Sequence, residues 1–298
     1  MTEAATAELG IDKPLGRKRG AQGILRRLLT HRLFMTGAVL FVAVALIALL
    51  AELLATHDPV EMRARNRFKP PSALNWFGTD NFGRDIFSRL VFGARLSLEI
   101  GLATVSLTAL FGTLAGTVAG YFRRLDNLVM RAMDALMAFP AIMLALAIAA
   151  ALGPSALNVV IALSAVYTPR TARIARASVL VVREMDFVEA ARSVGASHHR
   201  ILWRHILPNC LAPLIVQLTF VFAYAVIAEA VLSFLGVGPP PPAPSWGNVI
   251  AEGKDYIREA PWITLFPGLA IAMTVLGLNL LGDGLRDVLD PRMKVQQG

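Results

Sequence analysis

Three histidines, His198, His199 and His205, are the side chains here whose type and closeness first suggest metal chemistry. On a helix the adjacent pair would point about 100° apart. No carboxylate or cysteine stands near enough in sequence to complete a site. Cys210 is the single cysteine, which excludes an internal disulfide and any Cys-rich metal centre. A nucleotide site is also missing. The nearest approach to a phosphate-binding loop runs from Gly247 to Gly253-Lys254. It has one residue too many between its glycines, and Asp255 stands where Ser or Thr is needed. "GVGPPP" does not continue as a dinucleotide fingerprint, and no paired carboxylates or Ser/His/Asp grouping stands out. The expectation is a chain with no catalytic residues, no metal and no bound cofactor.

A different pattern remains in "DFVEAARSVG", residues 186–195. Asp186 followed by Glu189 reads as a capping box, and Gly195 suits the left-handed residue that stops a helix. Phe187, Ala190, Ala191 and Val194 form one apolar stripe between them. A second short helix from His198 to His205 is expected, capped by Ser197 and bounded by Pro208. Eight residues make a helix of about 12 Å, marginal alone in water. Its stripe must rest on the rest of the chain, on the lipid interface, or in a groove of a soluble partner. The small pair Ala190-Ala191 would let a partner backbone come close.

The surroundings of that stretch are apolar. The 298 residues are 55% hydrophobic and only 17% charged, with mean hydropathy +0.57. Soluble domains carry about 25% charged residues, so an all-α integral membrane protein is expected. The net charge of +8 does not form a basic stripe, which argues against nucleic acid. Six spans are expected, at about 34–55, 97–121, 136–152, 156–176, 211–235 and 263–282. They leave a basic tail at 1–33, a loop at 56–96, a core at 97–287 and a C-terminal segment at 288–298. The first span is too long for a signal-peptide core and reads as a retained anchor. Arg170, Arg173 and Arg176 follow the fourth apolar run on one helical face, their heads expected to snorkel into cytoplasmic water. With six crossings, 20 Lys and Arg fall on one side and 9 on the other, which places both termini in the cytoplasm.

Within this frame Gly112, Gly116 and Gly120 line one face of the second span, suited to close helix packing. Glu52, Glu99 and Glu229 all map near external ends, which argues against an ion-coupled carrier. Trp76, Trp246 and Trp262 are expected as interfacial anchors, "GPPPPAP" as stiff extended chain, and Asp80, Arg84, Asp85 and Arg89 as a solvated network.

The stretch "EAARSVGASHHRILWRHILPN" resembles the EAA loop of permease subunits in bacterial ABC importers. The matching residues are Glu189, Ala190, Ala191, Gly195, Leu207 and Pro208. His205 stands where the family often has an aliphatic residue, and "RHILPN" is similar to the peptide-transporter branch. "FGTDNFGRDIFSRLVFGARLSL", "MRAMDALMAFP", "LSFLGVGPPPPAPSWG" and "NLLGDGLRDVLDPR" resemble the dipeptide/oligopeptide/nickel permease group, its C-type subunit in particular. The resemblance runs from about Phe34 to Arg292.

It implies a type I ABC importer permease fold with six transmembrane helices in the bacterial inner membrane. It also implies partners: a second permease subunit forming a heterodimer, one or two ATPase subunits that use ATP, and an external solute-binding protein. Asp186, Phe187, Glu189, Ala190, Ala191, Gly195, Arg200, His205, Leu207 and Pro208 would form the ATPase-coupling loop, within 186–208. Glu189 would be the polar contact, Ala190 and Ala191 the close-approach face, and Gly195 the turn. The implied cargo is peptide, with nickel or glutathione-like cargo as alternatives.

Overall fold

The computed structural model describes residues 21–289. The expected tail up to residue 20 and the expected C-terminal segment from residue 290 lie outside the described residues. Among those described there is no strand, only an isolated bridge between Thr79 and Asp85. The all-α expectation therefore holds.

Helix α1 (Ala21–Thr30) leads into α2 (Arg32–Leu49), which breaks at Leu50 before the single turn α3 (Ala51–Leu54). Helix α4 (Ile86–Tyr121) begins eleven residues before the expected start at Ser97. The reason is a cap: the Asp85 carboxylate accepts from the Ser88 N–H at 2.8 Å and from the Ser88 hydroxyl at 2.8 Å. Its 36 residues make a helix of about 54 Å. The third expected span is not one helix. Helices α5 (Arg123–Met137) and α6 (Ala141–Leu152) meet at 88° around Pro140, where the missing N–H and the restricted residue before it end the first helix. Helix α7 (Ala156–Val182) passes through Pro169 without breaking.

The chain then makes a short hairpin of α8 (Asp186–Ser193) and α9 (His198–Ile201). It continues into α10 (Leu207–Phe234), crosses α11 (Trp246–Gly253), and ends the described residues in α12 (Trp262–Leu289). Four helical stretches are long and apolar enough to cross a membrane: Arg32–Leu49, Ile86–Tyr121, His198–Phe234 and Trp262–Leu289. The bent pair α5 and α6 adds a fifth if counted as one span. Helix α7 has the length, but its arginines keep it outside that set.

Helices α4 and α7 form the central pair. A Cβ on Gly116 would collide with the Ala172 carbonyl oxygen, and one on Gly112 or Gly120 would come within 2.7 Å of Thr171 or 2.8 Å of Val179. The expected small-residue face is therefore the seam between these two helices. Ile100, Ala145, Ala149, Val159, Leu163 and Leu232 form one core, and α2 lies against α12.

The bundle has two dissimilar ends. At the far end, opposite the hairpin, residues 57–85 and α11 close over α4. The expected solvated network is there, but it is buried. Arg84 donates from Nε to Asp80 at 2.6 Å and also pairs with Glu252; Arg89 donates to Glu252 at 2.9 Å and lies 3.4 Å from Asp80. All of these but Glu252 are 3% exposed or less.

Trp246 is likewise core rather than an interfacial anchor. It is 1% exposed, and its indole N–H donates to the Leu90 carbonyl at 3.0 Å. Trp262 donates to Thr79 in the same way, and of the three expected anchors Trp76 alone is largely exposed. The proline run turns at Pro241–Pro242 instead of extending, and Asn248 ties it down through the Pro239 and Ala243 carbonyls. Glu229 is fully buried and accepts from the Ser97 hydroxyl at 3.1 Å and the Ser233 hydroxyl at 2.8 Å.

Candidate functional site

The hairpin grows directly from the ends of α7 and α10. Helix α8 starts one residue earlier in register than a capping box requires. Met185, not Asp186, is the N-cap, and no side-chain cap forms. Asp186 and Glu189 sit in the first turn, where carboxylates are favoured by the helix dipole. The stop is as expected. Gly195 has φ +77°, its N–H donates to Arg192 O at 2.9 Å, and the Ala196 N–H donates to Ala191 O at 3.0 Å. This is the paired closure of a Schellman turn, and a side chain at 195 would be strained. The Ser197 hydroxyl then caps α9 by accepting from the Arg200 N–H at 3.4 Å.

Pro208 does not bound the second helix. Residues Leu202–Ile206 widen into a π turn, closed by the Leu207 N–H donating to Leu202 O, and the helix runs on unbroken into α10. The wider turn admits a proline that lacks a donor and would crowd a regular α-helical turn. The Asn209 side chain donates to the His205 carbonyl at 2.6 Å in the following turn. Leu207 is half-buried and Pro208 exposed.

The apolar stripe divides in two. Val188 and Ala191 face inward and join Val179, Val182, Ile201, Ile206, Cys210 and Leu214 in a second core. Phe187, Ala190 and Val194 face outward, Val194 at 84% exposure. Reading the stripe as one face missed Val188, the residue that anchors the hairpin. Its signal was an apolar pair at i and i+3, 188 and 191, offset by one residue from the stripe.

The outward residues line an open groove of about 550 Å³ together with Ala191, Ala196, Arg200, Arg204 and His205. Phe187 and His205 face each other with ring centroids 6.4 Å apart. Glu189 is exposed on the same helix. Arg200 and His205 thus join Phe187, Ala190 and Ala191 as expected, and Arg204 is an addition. Such a surface is chemically suited to docking, with an apolar floor, two guanidinium groups on its rim, and backbone approachable over alanines. Among the described residues no group of three or more His, Cys, Asp or Glu could hold a metal ion, and His198 is instead engaged by the Tyr121 hydroxyl at 2.7 Å.

A family model described as the binding-protein-dependent transport system inner membrane component matches residues 109–295. The chain belongs to this family. A second model, the N-terminal TM domain of oligopeptide transport permease C, matches residues 21–71. The resemblance read from the EAA stretch is thereby borne out, and the hairpin 186–206 falls inside the region shared with the whole family.

Individual relatives agree. A Brucella abortus protein provisionally named a peptide transport system permease is 58% identical over 91% of this chain and 92% of its own. The dipeptide transport system permease protein of Alkalihalophilus pseudofirmus is 46% identical over 90% and 89%. The glutathione transport system permease protein of Escherichia coli is 43% identical over 90% and 89%. Membership makes this chain a membrane-embedded transport subunit of a binding-protein-dependent system.

Proposed function

We propose that this chain is the C-type permease subunit of an ATP-driven importer that carries short peptides across the bacterial inner membrane. The observation that carries the reading is the groove of α8: an amphipathic helix held on the bundle by Val188 and Ala191 while Phe187, Ala190 and Val194 remain uncovered. The sequence contains no phosphate-binding loop. The driving force therefore comes from a separate ATPase that grips this hairpin, with Glu189 as the polar contact and Arg200, Arg204 and His205 on the rim. A second permease completes the passage, and an external solute-binding protein delivers cargo to the far end.

In this reading the bundle crosses the membrane six times, with α7 as the fourth crossing and the bent α5–α6 pair as the third. Both termini and the hairpin are cytoplasmic, in line with the distribution of Lys and Arg. Peptide cargo is supported by the relatives, which are named as peptide and dipeptide transport permeases. The glutathione relative favours one variant of it, a peptide with an additional carboxylate.

The test is a cysteine at Val194 crosslinked in the assembled transporter. A crosslink to the ATPase is expected, and import of a labelled dipeptide into vesicles should stop when the link forms. A Val194 cysteine labelled from outside intact cells, or never reaching an ATPase, overturns the docking role. Competition by glutathione against the dipeptide separates the two cargo variants.

A further inference from the structure

Helix α7 and its C-cap carry four arginines toward the hairpin end, Arg170, Arg173 and Arg176 in the helix and Arg183 at the cap, and three are engaged. Arg173 donates to Asp134 at 2.6 Å, Arg176 grips Asp126 with two bonds of 2.5 and 2.6 Å, and Arg183 pairs with Glu184 and donates to the Gly120 carbonyl at 2.6 Å. Arg170 has no carboxylate within ion-pair reach among the described residues. It is exposed, and its guanidinium lies over the ring of Tyr224 at 6.0 Å. Tyr224 is half-exposed beside it, held by the Tyr167 hydroxyl donating to the Tyr224 carbonyl at 3.3 Å.

Depth makes this arginine unusual. Thr168 and Thr171, which flank it, abut Gly112 of α4. Gly112 lies nine residues, about 13 Å, before α4 ends at Tyr121. Side chains on a helix tilt toward its N-terminus, which for α7 is the far end. Tyr224 lies in that direction, five residues before Glu229, and Glu229 bonds Ser97 near the other boundary of the expected span. The guanidinium is therefore aimed toward the middle of the bundle and away from the hairpin end, the opposite of the snorkelling expected from sequence. An unpaired cation at that depth is costly against lipid and is stable facing a water-filled passage.

We propose that Arg170, backed by Tyr167 and Tyr224, is a carboxylate-binding station on the translocation path that receives the C-terminal carboxylate of a passing peptide. This rests on the peptide-import reading above. The planar guanidinium offers paired donors that match a carboxylate. The Tyr224 ring face orients the cation without neutralising it, so its charge stays available. A single exposed cation also holds an anion loosely enough to release it, as a conducting path requires.

The experiment compares wild type with Arg170→Gln and Arg170→Lys in the complete transporter reconstituted in vesicles, with a labelled dipeptide as probe. Import through Arg170→Gln should fall at least about tenfold, the scale of a lost charge-assisted hydrogen bond. Binding-protein-stimulated ATP hydrolysis and recovery of the second permease should stay at wild-type levels, and Arg170→Lys should regain much of the import. The proposal is overturned if Arg170→Gln imports at the wild-type rate, if Lys is no better than Gln, or if Gln loses the second permease, since the arginine then pairs with that subunit. A wild-type assembly that imports no peptide at all overturns the cargo reading beneath it, whereas normal import unaffected by Gln overturns the station alone.

Discussion

The two ends of the bundle use charge in opposite ways. At the far end Arg84, Arg89 and Asp80 are buried and meet Glu252 of α11 in one cluster, so the cations are consumed within the chain. At the hairpin end Arg192, Arg200 and Arg204 lie exposed beside exposed Phe187 and Val194. The first arrangement fixes the chain's own loops; the second leaves adhesive surface uncovered. Buried ion clusters tolerate no missing member, whereas an exposed apolar face is tolerated by the fold and acquires its value from a partner.

That contrast is open to direct attack. The largest effect is expected from Arg84→Ala, which leaves the buried Asp80 and the partly exposed Glu252 with Arg89 as the one remaining cation of their cluster; removing one member of a buried ion set costs about 3–5 kcal/mol. Folded yield in membranes should collapse, and a variant that melts like wild type would mean the cluster is hydrated. Next comes Gly116→Val, whose added carbons would drive into the Ala172 backbone and the Ala175 side chain. Overpacking of this kind costs about 1–3 kcal/mol, visible as a lowered Tm.

A smaller effect belongs to the pin between α5 and α7. Arg176 holds the Asp126 carboxylate with two hydrogen bonds of 2.5 and 2.6 Å. Asp126→Asn removes the charge from that pair and should lower the hydrogen-exchange protection of α5 relative to wild type at the same pH. The smallest effect on the fold is expected at Val194→Glu, within about 0.5 kcal/mol as for other exposed sites. Co-purification with the ATPase should nevertheless be lost. A Tm loss matching that of Gly116→Val would instead make Val194 part of the hairpin's support.

Much of this was legible beforehand. The long apolar runs, the Gly112/Gly116/Gly120 face, the Gly195 stop and the Ser197 cap all follow from periodicity and local backbone chemistry, and all are found. The misreadings share a cause. Asp186 looked like a cap because of its spacing to Glu189, but the helix starts from Met185. Phe187, Ala190 and Val194 were grouped with Ala191 as one apolar stripe, yet the bundle takes Val188 and Ala191 into its core and leaves the other three outside. Asp80, Arg84 and Arg89 looked solvated because they are charged, and Glu252, which closes their cluster, comes from a helix more than 160 residues away.

The prolines show where the division falls. Sequence alone determined that the chain is a bundle of membrane-length helices with a short amphipathic hairpin between two of them, since apolar length, glycine conformation and capping act over a few residues. Only the tertiary structure decided that Pro140 ends a helix and turns the chain by 88° while Pro169 and Pro267 are carried, buried, through α7 and α12. A missing N–H costs the same at each site locally, and whether a helix survives it depends on the neighbours packed around that turn.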